Sequence, residues 1–141
     1  MKAFCDNYAD LIHAIMARSF LDHRGIHGTA HWMRVRRNGL LLAETEGANS
    51  RIVEAFAVFH DSQRHNDNHD PEHGARGAEL AYEFSQDGLI TLSASELAEL
   101  EYACSAHTEG GNAPDNVTVA VCWDADRLDL GRVGIVPDPI S

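Results

Sequence analysis

Basic charge is scarce in this chain. Eleven Lys and Arg stand against 22 Asp and Glu in 141 residues, a formal net charge of −11 with histidine neutral. A long polyanion such as DNA or RNA is a poor partner for such a surface. A small phosphorylated ligand stays compatible, because a few local arginines can outweigh the global balance. Cysteine is scarce too: Cys5, Cys104 and Cys122 are too few and too scattered for a disulfide framework. No apolar run approaches the roughly 20 residues of a membrane span, so no membrane partner is expected. Met1-Lys2-Ala3-Phe4-Cys5-Asp6 lacks the apolar stretch of a secretion signal. A reducing cytoplasm is the expected setting, and the sequon Asn116-Val117-Thr118 carries no weight there.

Apolar residues make up 44% of the chain, enough for a real core, and the length fits a single domain spanning 1–141. There is no internal repeat, and the periodicity is helical nearly throughout. It predicts an all-α bundle of about six helices. Helix one is expected from Cys5 to Leu21, with Tyr8, Leu11, Ile12, Ile15 and Met16 facing inward, ended by Leu21-Asp22-His23-Arg24-Gly25. Helix two runs from Gly28 to Glu46 and stops at Gly47. Helix three starts at the cap candidates Asn49 and Ser50 and carries the stripe Ile52, Phe56, Phe59, His60. Helix four is expected to take Asp70 as N-cap and Pro71 as its first residue, with the stripe His73, Gly77, Leu80, Phe84. Helix five begins at Ser93, where Glu96 completes a capping box; it carries Leu97, Leu100, Cys104 and His107 and stops at Gly110-Gly111. Helix six runs from Asn116 to Leu130, closed by Gly131. Val117–Val121 has strand propensity, but no second strand exists to pair with it. Its apolar start suggests a central, buried helix, and the tail Val136-Pro137-Asp138-Pro139 is irregular.

Histidine is the abundant exception, with nine residues, and it is the commonest metal ligand. Short connections make neighbouring helices antiparallel. The start of helix two (His31), the end of three (His60, Asp61), the start of four (His73) and the end of five (His107) then meet at one pole. A lone inward histidine is usually a core residue with a satisfied hydrogen bond; four at one pole are better explained by a metal. Asp126 lies about 15 Å along helix six from its start. It reaches that pole only if helix six crosses the others at an angle.

The adjacent pair His60-Asp61 is worth little alone. About 0.8 such pairs are expected by chance, and His69-Asp70 is a second one, read as loop plus cap. The surrounding pattern carries the signal: His31-Trp32-Met33-Arg34-Val35 upstream, the pair ending an apolar helix, and Trp123-Asp124-Ala125-Asp126-Arg127-Leu128-Asp129 downstream. From about His27 to Leu130 the sequence resembles the HD-domain superfamily of metal-dependent phosphohydrolases. The resemblance implies metal ligation by His31, His60, Asp61 and Asp126. Asp126 is preferred over Asp124 because the family aspartate commonly stands in an Ala-Asp-Arg-Leu context. It also matches His73 and His107 to accessory positions that bind a second metal or a substrate phosphate.

Imidazole with carboxylate suits Mn, Fe, Ni, Co or Zn, one or two per chain, better than an all-oxygen Mg or Ca cage. Asp61 could bridge two ions. Arg64, three residues after the pair, is the candidate for holding a phosphate with paired donors. Arg34 reads as a surface arginine. His65, Asp67 and His69 read as loop residues near a substrate mouth. His27 is near the pole without a role, and His13 and His23 are away from it. Cys104 with His107 lacks the second pair that a structural zinc site needs. The implied activity is hydrolysis of a small, nucleotide-like phosphate ester. A di-iron oxygenase of HD type and a non-catalytic metal- or nucleotide-binding module are the alternatives.

Overall fold

The computed structural model describes residues 3–21, 25–107 and 115–132, with side chains up to Asp129 in the last segment. Six helices and no strand occur among them: α1 (Tyr8–Met16), α2 (Thr29–Glu46), α3 (Ser50–Phe59), α4 (His73–Gln86), α5 (Ala94–Ala106) and α6 (Val117–Arg132). Val117–Val121 is helical, as the lack of a partner strand requires. His23, Gly110, Gly111 and the tail from Val136 lie outside the described residues.

The helix boundaries follow local chemistry. The Asn7 and Asn49 side chains cap α1 and α3, accepting from the Asp10 and Arg51 amides. Ser93 and Glu96 form the expected reciprocal box on α5. Gly47 ends α2 at φ +77°, a left-handed conformation costly for other residues.

Three expected boundaries move. Helix α1 begins at Tyr8, where Asn7 caps it, rather than at Cys5, and stops at Met16 rather than Leu21. The Arg18 and Ser19 amides turn to carbonyls three residues back, Ile15 and Met16, and the Ser19 hydroxyl also donates to the Ile15 carbonyl. Helix α4 begins at His73, not at Pro71, because the Asp70 carboxylate is engaged elsewhere. It accepts from the His65 amide at 2.7 Å and from the Arg76 guanidinium at 2.6 Å, so it does not cap the helix.

The centre of the bundle is α3, not α6. Ile52, Val53 and every residue from Ala55 to Phe59 are buried, which is the signature of a helix enclosed on all sides. Helix α6 buries Val119, Val121, Cys122, Trp123 and Ala125 but exposes Val117 and Leu128. Helices α1, α2, α4, α5 and α6 all pack on α3. Helix α4 approaches α3 and α5 closely because two positions lack side chains. A Cβ at Gly77 would strike the Phe59 carbonyl oxygen, and one at Gly74 the Cys104 carbonyl oxygen.

The direction of helix α6 carries it to the histidine pole. The Thr118 hydroxyl, near its start, accepts from the Asn49 amide beyond the end of α2. The Ala125 carbonyl meets Asn38 in mid-α2, and Asp129 meets His31 at the start of α2. So α6 runs antiparallel to α2 and toward the pole. Helix α5 runs the same way, from Glu96 beside Asn49 to His107.

Candidate metal centre

Helix ends deliver the polar side chains to one buried place. His31 lies in the first turn of α2, His60 follows the end of α3 with Asp61 next, His73 opens α4, and His107 follows α5. All are buried, although neighbouring positions hold apolar core. Ligand atoms of His31, His60, Asp61 and Asp126 lie within 4.8 Å of one another, and so do those of Asp61, His73 and His107. The structure therefore brings together all six residues that the sequence singled out.

Asp61 stands between the two groups. Its Oδ2 lies 3.2 Å from Nε2 of both His31 and His60. Its Oδ1 lies 2.9 Å from His73 Nε2 and 3.6 Å from His107 Nε2. Asp126 Oδ1 lies 3.0 Å from His31 Nε2 and 3.3 Å from His60 Nε2.

The outward nitrogens fix the chemistry of the inward ones. His60 Nδ1 donates to the Phe56 carbonyl (2.9 Å), His73 Nδ1 to the Asp70 carbonyl (2.5 Å) and His107 Nδ1 to the Cys104 carbonyl (2.7 Å). A carbonyl only accepts, so each Nδ1 carries a proton. In the neutral ring the Nε2 lone pair must then point inward. His31 Nε2 faces His60 Nε2 at 3.3 Å, and His73 Nε2 faces His107 Nε2 at 2.9 Å. Two lone pairs that close repel unless a proton or a cation lies between them. Four inward imidazoles and two carboxylates suit a divalent transition ion, and the donor set fits one.

Electrostatics show what the protein does with protons alone. Burial disfavours charge on His31, but the Asp126 and Asp61 carboxylates outweigh it and push the imidazole up to about 11. His60 is buried as well, and Asp61 and Asp126 raise it to about 9. Burial works against the Asp61 and Asp126 charges too. His60 first, then the neighbouring imidazoles, hold both carboxyls below the usual carboxylate range. The His31 and His60 Nε2 atoms thus have two satisfactory states: protonated against the carboxylates, or bare toward a cation.

Phe56 stacks on the His60 ring, with centroids 4.5 Å apart, and gives the pole an apolar wall. On the other side a narrow cavity of about 10 Å³ leads outward from Asp61, bordered by His27, Trp32, Arg64 and Asp67. Arg64 does reach the site. Its Nε donates to Asp61 Oδ1 at 3.2 Å, and its Nη1 to the Asn66 and Asn68 carbonyls. His27 Nδ1 lies 3.0 Å from Asp67 Oδ1. His65 meets Phe20 edge to face, while His69 and His13 are exposed. The Cys104 thiol plays no part in the cluster; its backbone carbonyl does.

Sequence reasoning missed two residues. Asp129 is buried, with Oδ2 2.6 Å from His31 Nδ1. Arg34, expected at the surface, donates from Nε to Asp129 Oδ1 at 2.5 Å and from Nη2 to Oδ2 at 3.2 Å. A signal existed: Arg34 lies three residues after His31 and Asp129 three after Asp126, so each shares a helix face with a candidate ligand.

No protein-family model and no curated protein sequence matches the chain. A search of solved structures finds the crystal structure of a protein described as a predicted HD superfamily hydrolase, from an uncultured Thermotogales bacterium. The two superpose with a TM-score of 0.67 at 26% sequence identity, over 91% of this chain and 80% of the other. With its all-α architecture and paired histidine–aspartate groups, the chain resembles the HD-domain superfamily in fold and in its buried cluster. Among the described residues no helix is long and apolar enough to cross a membrane.

Proposed function

We propose that the protein is a metal-dependent phosphohydrolase acting on a small, nucleotide-like phosphate ester. The coarser reading, a metal-dependent hydrolase, rests on the superfamily fold and the buried cluster. The observation that carries the finer one is the division of Asp61 between two groups of imidazole nitrogens. In this reading His31, His60, Asp61 and Asp126 hold one divalent ion. His73 and His107 share Asp61 and hold a second ion or the substrate phosphate.

An ion held by these residues would polarise a phosphoryl oxygen and lower the pKa of a water. The chain's own side chains do the rest. The four Nδ1 contacts keep the imidazoles oriented before substrate arrives, so little reorganisation is left for the reaction. Arg64 stands at the cavity with one nitrogen on Asp61. Its remaining donors can turn from the Asn66 and Asn68 carbonyls to phosphate oxygens, for which a guanidinium has the right fork. The net charge of −11 disfavours a polymer backbone as substrate.

The test is hydrolysis of an aryl phosphate and a nucleotide panel by Mn-loaded protein, with Asp61→Ala beside it. Turnover that disappears in Asp61→Ala supports the proposal. Turnover that survives the substitution overturns it. Oxygen consumption by iron-loaded protein without phosphate release favours the oxygenase, and ligand binding without either favours the module.

A further inference from the structure

We infer that Asp129, held by Arg34, is the positioning residue for His31, and that through His31 it sets how tightly the first metal group closes. The inference rests on the metal reading above but concerns residues outside the ligand groups. His31 differs from the other three histidines in one respect. His60, His73 and His107 each anchor Nδ1 on a carbonyl within four residues of themselves. Those anchors come with the helix or turn that carries the ring. His31 is the third residue of α2, so the residues three and four before it lie outside the helix. Its Nδ1 anchor instead comes from α6, 98 residues away in sequence.

That anchor is a carboxylate rather than a carbonyl, buried with the ring it holds. A buried carboxylate needs a compensating charge, and Arg34, one turn along α2 from His31, supplies it through two contacts. Asp129 Oδ2 accepts a hydrogen bond from His31 Nδ1–H, which leaves the Nε2 lone pair aimed at Asp61 and Asp126. The carboxylate also makes the ring a stronger donor. One consequence is geometric. Helix α2 brings His31 and Arg34, helix α6 brings Asp126 and Asp129, and the two antiparallel helices clamp each other across the first group.

The experiment measures Mn affinity of the full chain by chelator competition, and the visible spectrum of the Co-loaded protein, for wild type, Asp129→Asn and Arg34→Met. Far-ultraviolet circular dichroism checks the fold of each. Loss of an anchoring partner of this kind weakens metal binding by about 10- to 100-fold. Asp129→Asn should show that loss with an altered Co spectrum, while keeping its helical content. Arg34→Met should fall between it and wild type, because Asp129 still meets His31. Folded Asp129→Asn with wild-type affinity and spectrum overturns the positioning role and leaves the metal reading standing. If Asp129→Asn fails to fold, the role is decided by Arg34→Met, whose wild-type affinity and spectrum would overturn it. Wild-type protein that takes up neither Mn nor Co overturns the metal reading, and this role with it.

Discussion

The two ends of the bundle hold polar clusters of opposite character. At the end where α3 and α5 begin, Arg51 and Glu96 are answered by each other and by neighbouring polar groups. Glu96 accepts from Arg51, from Asn49 and from the Ser93 amide, while Arg51 also donates to the Thr91 carbonyl. The helices there need nothing further. At the other end, four imidazoles turn their lone pairs toward one another around two carboxylates, and only a proton or a cation reconciles them. A fold gains little stability by burying such a group where apolar side chains would pack. One end closes helices, and the other reserves a place for an ion.

The contrast predicts that insults to the two ends differ in kind and in size. The largest effect should come from Asp61→Ala, which removes the residue common to both groups: turnover should fall to the assay background while the helical spectrum survives. Chelation comes next. A ligand at 100 times its Kd stabilises the native state by roughly 2.7 kcal/mol, so stripping the metal should lower Tm by about 10 °C, and restoring it should reverse the loss. A scanning calorimeter, with metal content measured alongside, checks this. A Tm indifferent to confirmed metal loss would erase the difference between the ends.

His107→Ala is expected to be milder. It touches only the group of Asp61, His73 and His107, so one ion per chain should remain while a second ion or phosphate binding is lost. Loss of all metal would show that the two groups act as one.

Acidity separates the ends further. Without metal, His31 and His60 are pushed up to about 11 and about 9, so near neutrality an ion must displace their protons. Mn affinity should therefore tighten as pH rises from about 6.5 toward 9, with proton release visible in calorimetry across buffers of different ionisation enthalpy. Glu96 runs in the opposite direction. The Arg51 hydrogen bond, with help from the Ser93 amide, brings its carboxyl down to about 2. A depressed carboxylate contributes stability that is present above its unfolded pKa of about 4.3 and is lost as pH falls through about 2. Glu96→Gln should flatten that acid limb and cost about 1 kcal/mol, the worth of a cap, without changing metal content. Urea titrations across pH measure it.

Much of this was legible in the sequence, for identifiable reasons. The apolar stripes of α3, α4 and α5 end in or contain histidines, so periodicity alone turned His60, His73 and His107 inward. Alternation of α2 through α5 then brought their ends together. The extent of α1 was not legible, because Ala17-Arg18-Ser19 is compatible with helix and only the turn toward Ile15 and Met16 ends it. The start of α4 was hidden by Asp70-Pro71, a good cap pair whose carboxylate is held by Arg76 and the His65 amide. The direction of α6 depends on where the chain goes between His107 and Asn116, which no periodic signal encodes. Asp129 was hidden by company: it is one of three aspartates within six residues of α6, periodicity does not separate them, and its packing against α2 does.

The central claim is that the histidine pole is a metal centre organised by Asp61. Equilibrium dialysis of full-length wild-type protein and Asp61→Ala against Mn, with bound metal counted by elemental analysis, tests it most directly. The account predicts one or two tightly held ions per wild-type chain and none at the same free Mn in the variant. Equal metal content in the two, whether zero or not, would contradict it.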